Sequence, residues 1–107
     1  MHRDNIFSKI PATLPQELLE ELVSAGGTRI ERIISKGHTT PEGTWYDQNT
    51  SEWVMVVHGS ARLRFEVDDV VLSMQAGDWI TIPAHVKHRV EWTDPDRETI
   101  WLAVHYA

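Results

Sequence analysis

From residue 28 onward the sequence consists of short runs rich in β-branched and aromatic residues, separated by turn residues. A turn signal about every eight to twelve positions is typical of a β-sandwich or β-barrel. At 107 residues the chain suits one domain with one core. The pattern predicts an all-β fold. The predicted strands cover residues 28–35, 52–57, 61–67, 70–74, 79–82, 88–92 and 99–105.

The segment before these runs has a different pattern, which predicts one short helix. Thr13 and Gln16 have the spacing of a capping box, and Pro15 falls in the first turn. Apolar residues then recur at helical spacing until two glycines end the pattern. These residues are Leu18, Leu19, Leu22 and Val23, followed by Gly26 and Gly27. The prediction is an arm and helix over residues 1–27, packed on a β-barrel over residues 28–107.

Composition and charge argue against several kinds of binding partner and of covalent or metal site. The net charge of -6 disfavours binding to a phosphate backbone. The absence of cysteine excludes disulfides and thiolate metal sites. No stretch approaches the roughly 20 apolar residues of a membrane span, and the amino terminus lacks the apolar run of a secretion signal. We expect a cytoplasmic protein with no nucleic-acid or membrane partner.

Two motifs identify a family resemblance. In EWVMVVHG, Glu52 precedes a turn glycine, Gly59, and in GDWITIPAHVKH the residues Gly77, Pro83 and His88 follow at a fixed spacing. Both motifs, in this order, resemble those of the cupins, which are small antiparallel jelly-roll barrels also described as double-stranded β-helices. The wider sequence looks like an uncharacterised bacterial group of single-domain cupins. The resemblance implies metal ligands at Glu52 and His88.

The first motif departs from the cupin pattern. The family normally supplies two histidines, one residue apart, just before the glutamate. Here those positions fall on Tyr46 and Gln48 or, in the other alignment, on Trp45 and Asp47. Neither alternative contains a histidine, so the resemblance predicts a fold and the place of a site but no substrate.

Strand periodicity brings the two motif residues together. Glu52 shares a strand face with Val54, and His88 shares one with Val90 and Trp92. If both faces point inward, a carboxylate and an imidazole enter the same interior. Because an isolated buried carboxylate is costly, a metal, a ligand or an arginine must compensate it.

These residues predict a divalent metal site in the barrel. Its ligands would be Glu52 and His88 with one or both of Asp47 and Gln48, and manganese, iron or zinc would suit such a set. The alternative is a buried hydrogen-bonded pair in a barrel that has lost its metal. The direction of His105, on the last strand, is left open.

The remaining predictions concern the ligand and the assembly. Tyr46, Trp45 and His85 would approach a small polar substrate at the mouth of the barrel. The function would be a metal-dependent enzyme of unknown reaction or, alternatively, a metal-free binding or sensor module; a purely structural dimer is the third hypothesis. Five tryptophans in so short a chain, and other small cupins, favour a homodimer.

Overall fold

The computed structural model of the protein describes all residues, 1–107. It contains eight strands and a single turn of 3-10 helix at Val67–Asp69. The strands are β1 (Leu18–Ala25), β2 (Thr28–Ser35), β3 (Ser51–His58), β4 (Ser60–Phe65), β5 (Val70–Gln75), β6 (Trp79–Ile82), β7 (His88–Thr93) and β8 (Thr99–Tyr106).

The strands pair into two antiparallel sheets. One has the order β1-β2-β8-β3-β6 and the other the order β5-β4-β7. All seven predicted strands are present, with ends that differ from the prediction by no more than two residues. The predicted all-β antiparallel class is confirmed, whereas the ladders join the strands into two sheets and not into one closed barrel.

The predicted N-terminal helix is wrong. Residues Leu18–Ala25 form strand β1, which pairs with β2 along its whole length. Gly26 and Gly27 have φ angles of 56° and 81°, so they form the tight turn of a hairpin and do not end a helix. The chain has no helix long and apolar enough to span a membrane.

The core lies between the two sheets. It is built from the inward positions of alternating strands, because successive side chains of a strand point to opposite faces. Gly59 turns the chain from β3 to β4 with a φ of 89°, and a Cβ atom there would lie 2.6 Å from the carbonyl oxygen of Glu98. The main core cluster comprises Val54, Val56, Ala61, Leu63, Met74, Ile82, Trp101 and Ala103.

A bulge in β7 moves one predicted inward residue to the outer face. β4 pairs Leu63 with Val90 but Arg62 with Trp92, so Glu91 is an extra residue in β7. The guanidinium of the exposed Arg62 lies 4.6 Å from the centre of the Trp92 ring. The prediction that Trp92 shares the inner face with His88 is therefore wrong.

Candidate functional site

A cavity of about 170 Å³ opens between the two sheets. Its polar residues come from both sheets, from the segment before β1 and from the loop before β3. The lining residues are Glu17, Leu19, Arg29, Glu31, Ile33, Tyr46, Gln48, Glu52, Val54, Leu63, Ile82, His88, Val90, Trp101 and His105. The cavity is smaller than the roughly 300–1,000 Å³ of pockets for drug-sized ligands, so it suits a compact molecule.

Strand register places the ionisable residues in one row across the larger sheet. His105 of β8 is paired with Arg29 of β2 on one side and with Glu52 of β3 on the other. Residues paired directly across antiparallel strands point to the same face. The row therefore carries one guanidinium, one imidazole and one carboxylate towards the cavity.

Glu52 and His88 meet across the cavity, as the sequence predicts. Oε1 of Glu52 lies 3.4 Å from Nε2 of His88, and their side chains are 9% and 6% exposed. The other ring nitrogen of His88, Nδ1, lies 2.9 Å from the Val86 carbonyl oxygen. Because a carbonyl oxygen only accepts, Nδ1 donates, and Nε2 is left to face the carboxylate.

This arrangement favours a protonated His88. Burial alone lowers the pKa of the imidazole, but the interactions with the Glu52 carboxylate and the Val86 carbonyl outweigh it and raise the pKa above its ordinary value. A neutral ring would direct the lone pair of Nε2 at a negatively charged oxygen. The geometry therefore places a protonated imidazole beside the Glu52 carboxylate.

A second carboxylate–imidazole pair lies beside the first. Nε2 of His105 is 3.0 Å from Oε1 of Glu31 and 3.8 Å from Oε2 of Glu52. Arg29 donates from Nε to the other oxygen of Glu31 at 2.8 Å. His105, whose direction the sequence leaves open, points into the cavity and is only 4% exposed. It thus links the two glutamates.

Tyr46 and Gln48 reach the cavity from the loop before β3. The backbone of Tyr46 forms an isolated bridge with His88, with N–H···O distances of 2.7 Å and 3.2 Å. The Tyr46 ring lies 5.6 Å from the His88 ring, and both Tyr46 and Gln48 line the cavity. Burial, followed by the charge of Glu17, raises the pKa of Tyr46, which keeps its phenol protonated.

Three other residues that the sequence proposes for the site lie on its rim. Asp47 points to His85, with 2.8 Å between Oδ1 and Nδ1, and their side chains are 42% and 68% exposed. Trp45 lies near the guanidinium of Arg89, 6.0 Å from the ring centre. None of the three lines the cavity.

The arrangement does not fit a resident metal ion. No group of three or more histidine, aspartate and glutamate side chains converges in a way that could hold one. Zinc sites, for example, use three or four such protein ligands. Glu52 lies within 4 Å of both His88 and His105, but His105 is closer to Glu31, and the carboxylate of Asp47 is engaged with His85.

Sequence reasoning missed Glu17, Arg29 and Glu31. Arg29 and Glu31 belong to β2, where they alternate with Ile30 and Arg32. Each face of this strand therefore carries both charged and apolar side chains, and the sequence does not show which face points inward. Arg32 is also buried, on the opposite face, where it donates to the carbonyl oxygens of the N-terminal arm. Only the pairing with β8 identifies which residues face the cavity.

The family model for the cupin domain matches residues 32–105. The chain belongs to the cupin family. This match covers β3 to β7 completely, half of β2 and most of β8, and so includes both motif residues, Glu52 and His88. A search of curated proteins found no match.

Solved structures similar to this cupin extend over its whole length. A Ralstonia eutropha protein, whose name provisionally assigns it as a mannose-6-phosphate isomerase, has 46% identity and a TM-score of 0.95, with 99% of this chain and 98% of that chain covered. A cupin superfamily protein from Desulfitobacterium hafniense has 18% identity and a TM-score of 0.78, with 99% and 92% covered. A conserved Streptococcus pyogenes protein of unknown function has 17% identity and a TM-score of 0.75, with 98% and 86% covered.

Proposed function

We propose that this cupin binds a small polar molecule in its cavity and that Glu52 and His88 transfer a proton on that molecule. The observation that carries the proposal is the buried carboxylate–imidazole pair, 3.4 Å apart on the cavity wall. Buried ionisable groups are costly, and those with shifted pKa values are concentrated at functional sites. The raised pKa of His88 gives the pair one group that donates a proton beside one that accepts it.

The chemistry that suits such a pair is isomerisation of a hydroxylated carbonyl compound. The Glu52 carboxylate would accept a proton from the carbon beside the carbonyl group while protonated His88 donates one to the carbonyl oxygen. The resulting enediol is then protonated at the neighbouring carbon, and its other hydroxyl gives up a proton. The substrate is rearranged with no net oxidation, and the pair regains its starting protonation.

The Ralstonia eutropha relative supports this reaction class. Its name provisionally assigns it to the isomerases of a sugar phosphate, and it shares 46% of its residues with this chain over nearly the full length of both. Interconversion of an aldose and a ketose requires a proton shift of the same kind. The relative supports the type of reaction, whereas the substrate depends on the residues of this cavity.

A non-catalytic binding or sensor module is the second candidate. It is favoured by the cavity wall, in which eight of the fifteen lining residues are hydrophobic. Such a wall gives affinity through burial of apolar surface and does not itself require turnover.

The experiment has two steps. A thermal-shift screen of small sugars, hydroxy acids and amines identifies a ligand, because a molecule that binds the native state raises its stability. NMR in deuterated water then measures exchange of the ligand's carbon-bound hydrogen. Proton transfer predicts deuterium at the carbon beside the carbonyl with the wild type, and a loss of about 100-fold or more in Glu52→Gln and His88→Gln.

Two exposed residues outside the cavity provide matched controls. Glu66→Gln and His2→Gln remove the same groups elsewhere and should leave the exchange rate unchanged. A ligand that binds without deuterium incorporation would support the binding module. A screen in which no ligand depends on Glu52 or His88 would contradict both candidates and favour the structural dimer.

The divalent metal predicted from the sequence, whether manganese, iron or zinc, is tested separately by metal analysis of protein purified without added metal. The proposal predicts less than stoichiometric metal. Stoichiometric metal that is lost in both Glu52→Ala and His88→Ala would contradict it and restore the metal site.

A further inference from the structure

The cavity carries an excess of negative charge. Its lining includes three glutamates, Glu17, Glu31 and Glu52, against a single arginine, Arg29, and no aspartate or lysine. The Nε of Arg29 already donates to Glu31. Even with His88 protonated, carboxylates outnumber cationic groups on the wall. A ligand that enters therefore meets a negative potential at the polar end of the cavity.

The hydrogen bonds of the lining residues also favour a ligand that brings donors. The Glu17 carboxylate accepts one bond, from the Ser35 hydroxyl at 3.0 Å. Nδ1 of the buried His105 has no hydrogen-bond partner, while Nε2 faces Glu31. Glu52 has His88 as its close partner, at 3.4 Å. The carboxylates of Glu17 and Glu52 thus keep acceptor positions that the donors of a ligand can fill.

The behaviour of Tyr46 agrees with a negative potential. After burial, the charges of Glu17 and Glu52 both raise the pKa of the phenol. Two carboxylates from different parts of the chain therefore act at one point of the mouth. A negatively charged group of a ligand beside Tyr46 would be repelled by the same two carboxylates that disfavour the phenolate.

We infer that the ligand of this cavity is a small hydroxylated carbonyl compound that also carries an amine, whose ammonium group lies among Glu17, Glu31 and Glu52, and not an anion such as a phosphate ester. The inference rests on the proposed function and adds the charge of the ligand to it. An ammonium group supplies three donors and a positive charge, which match the acceptors and the negative potential of the wall. A phosphate ester supplies acceptors and about two negative charges, which match neither.

Three probes that share one sugar ring and differ in charge test the inference. Mannosamine carries a positive charge, mannose is neutral, and mannose 6-phosphate is an anion. Their dissociation constants are measured by NMR titration of isotope-labelled protein at low salt. We expect mannosamine to bind at least about tenfold more tightly than mannose 6-phosphate, with mannose between them, and this difference to shrink in high salt.

A single substitution isolates the charge. Glu17 is exposed and its side chain contacts only Ser35 by hydrogen bond, so Glu17→Gln is expected to fold normally. This substitution should raise the dissociation constant of mannosamine about fivefold and leave that of mannose unchanged. Glu21→Gln, an exposed glutamate outside this cavity, should affect neither.

The outcomes separate the inference from the proposed function. If mannosamine fails to bind, or if mannose 6-phosphate binds as tightly, the inference is wrong. In the second case the proposed function still stands when Glu52→Gln abolishes binding. If the ligand screen finds no molecule whose binding depends on Glu52 or His88, both are wrong.

Discussion

Removal of Glu31 or His105 should show that these two residues act as a pair. Both are at least 93% buried by side chain, and 3.0 Å separates Oε1 of Glu31 from Nε2 of His105. A net hydrogen bond to a charged group contributes about 1.5–3 kcal/mol to stability. Each single substitution, Glu31→Ala or His105→Ala, also leaves a buried partner unsatisfied and should cost about 3 kcal/mol.

The double variant Glu31→Ala/His105→Ala should lose less stability than the sum of the losses in the two single variants. Since the Glu31–His105 hydrogen bond is lost in all three variants, we expect a total loss of about 4 kcal/mol in the double variant and a coupling free energy of about 2 kcal/mol. Urea unfolding followed by tryptophan fluorescence measures these values. The exposed pair Glu66→Ala and His2→Ala is the additive control. A coupling free energy below about 0.5 kcal/mol would show that the two residues are independent and would refute the reasoning.

Three further predictions concern the fold and the assembly. Gly59→Ala should lower the free energy of unfolding by at least about 2 kcal/mol in urea, because its Cβ would meet the backbone of Glu98 at 2.6 Å; an unchanged midpoint would contradict this. Leu63→Ala, at a position that is 2% exposed, should cost about 3 kcal/mol in the same assay, and a loss below about 1 kcal/mol would mean that the site is not a packed core. Light scattering should give a mass of twice 12.3 kDa, as the predicted homodimer requires, and a monomer mass would reject the dimer.

The local sequence pattern was sufficient to predict strands β2 to β8, but it did not predict β1. The apolar residues of β1, at positions 18, 19, 22 and 23, fit helical spacing as well as they fit a strand. β1 is an edge strand with no fully buried residue, so its inward face is weakly marked. Its pairing with β2 through the two-glycine turn decides its conformation, and that pairing is a tertiary interaction.

The same distinction applies to the site. Glu52 and His88 could be predicted because each lies in a motif with fixed spacing and on a strand with a clear apolar face. Arg29 and Glu31 could not, because β2 carries charged residues on both faces. The bulge at Glu91 moves the Trp92 side chain to the opposite face of β7, and the sequence of β7 contains no signal for this bulge. The direction of His105 follows only from the registers of β2, β8 and β3.

An NMR pH titration of His88 tests the central claim, that its imidazole and the Glu52 carboxylate meet inside one cavity. The raised pKa means that their interaction stabilises the fold below the ordinary histidine pKa of 6.5 and that this contribution is lost as pH rises through the folded pKa. We expect a His88 pKa above 6.5 in the wild type and a lower one in Glu52→Gln, with no change in Glu66→Gln. A His88 pKa that is the same in the wild type and in Glu52→Gln would contradict the account.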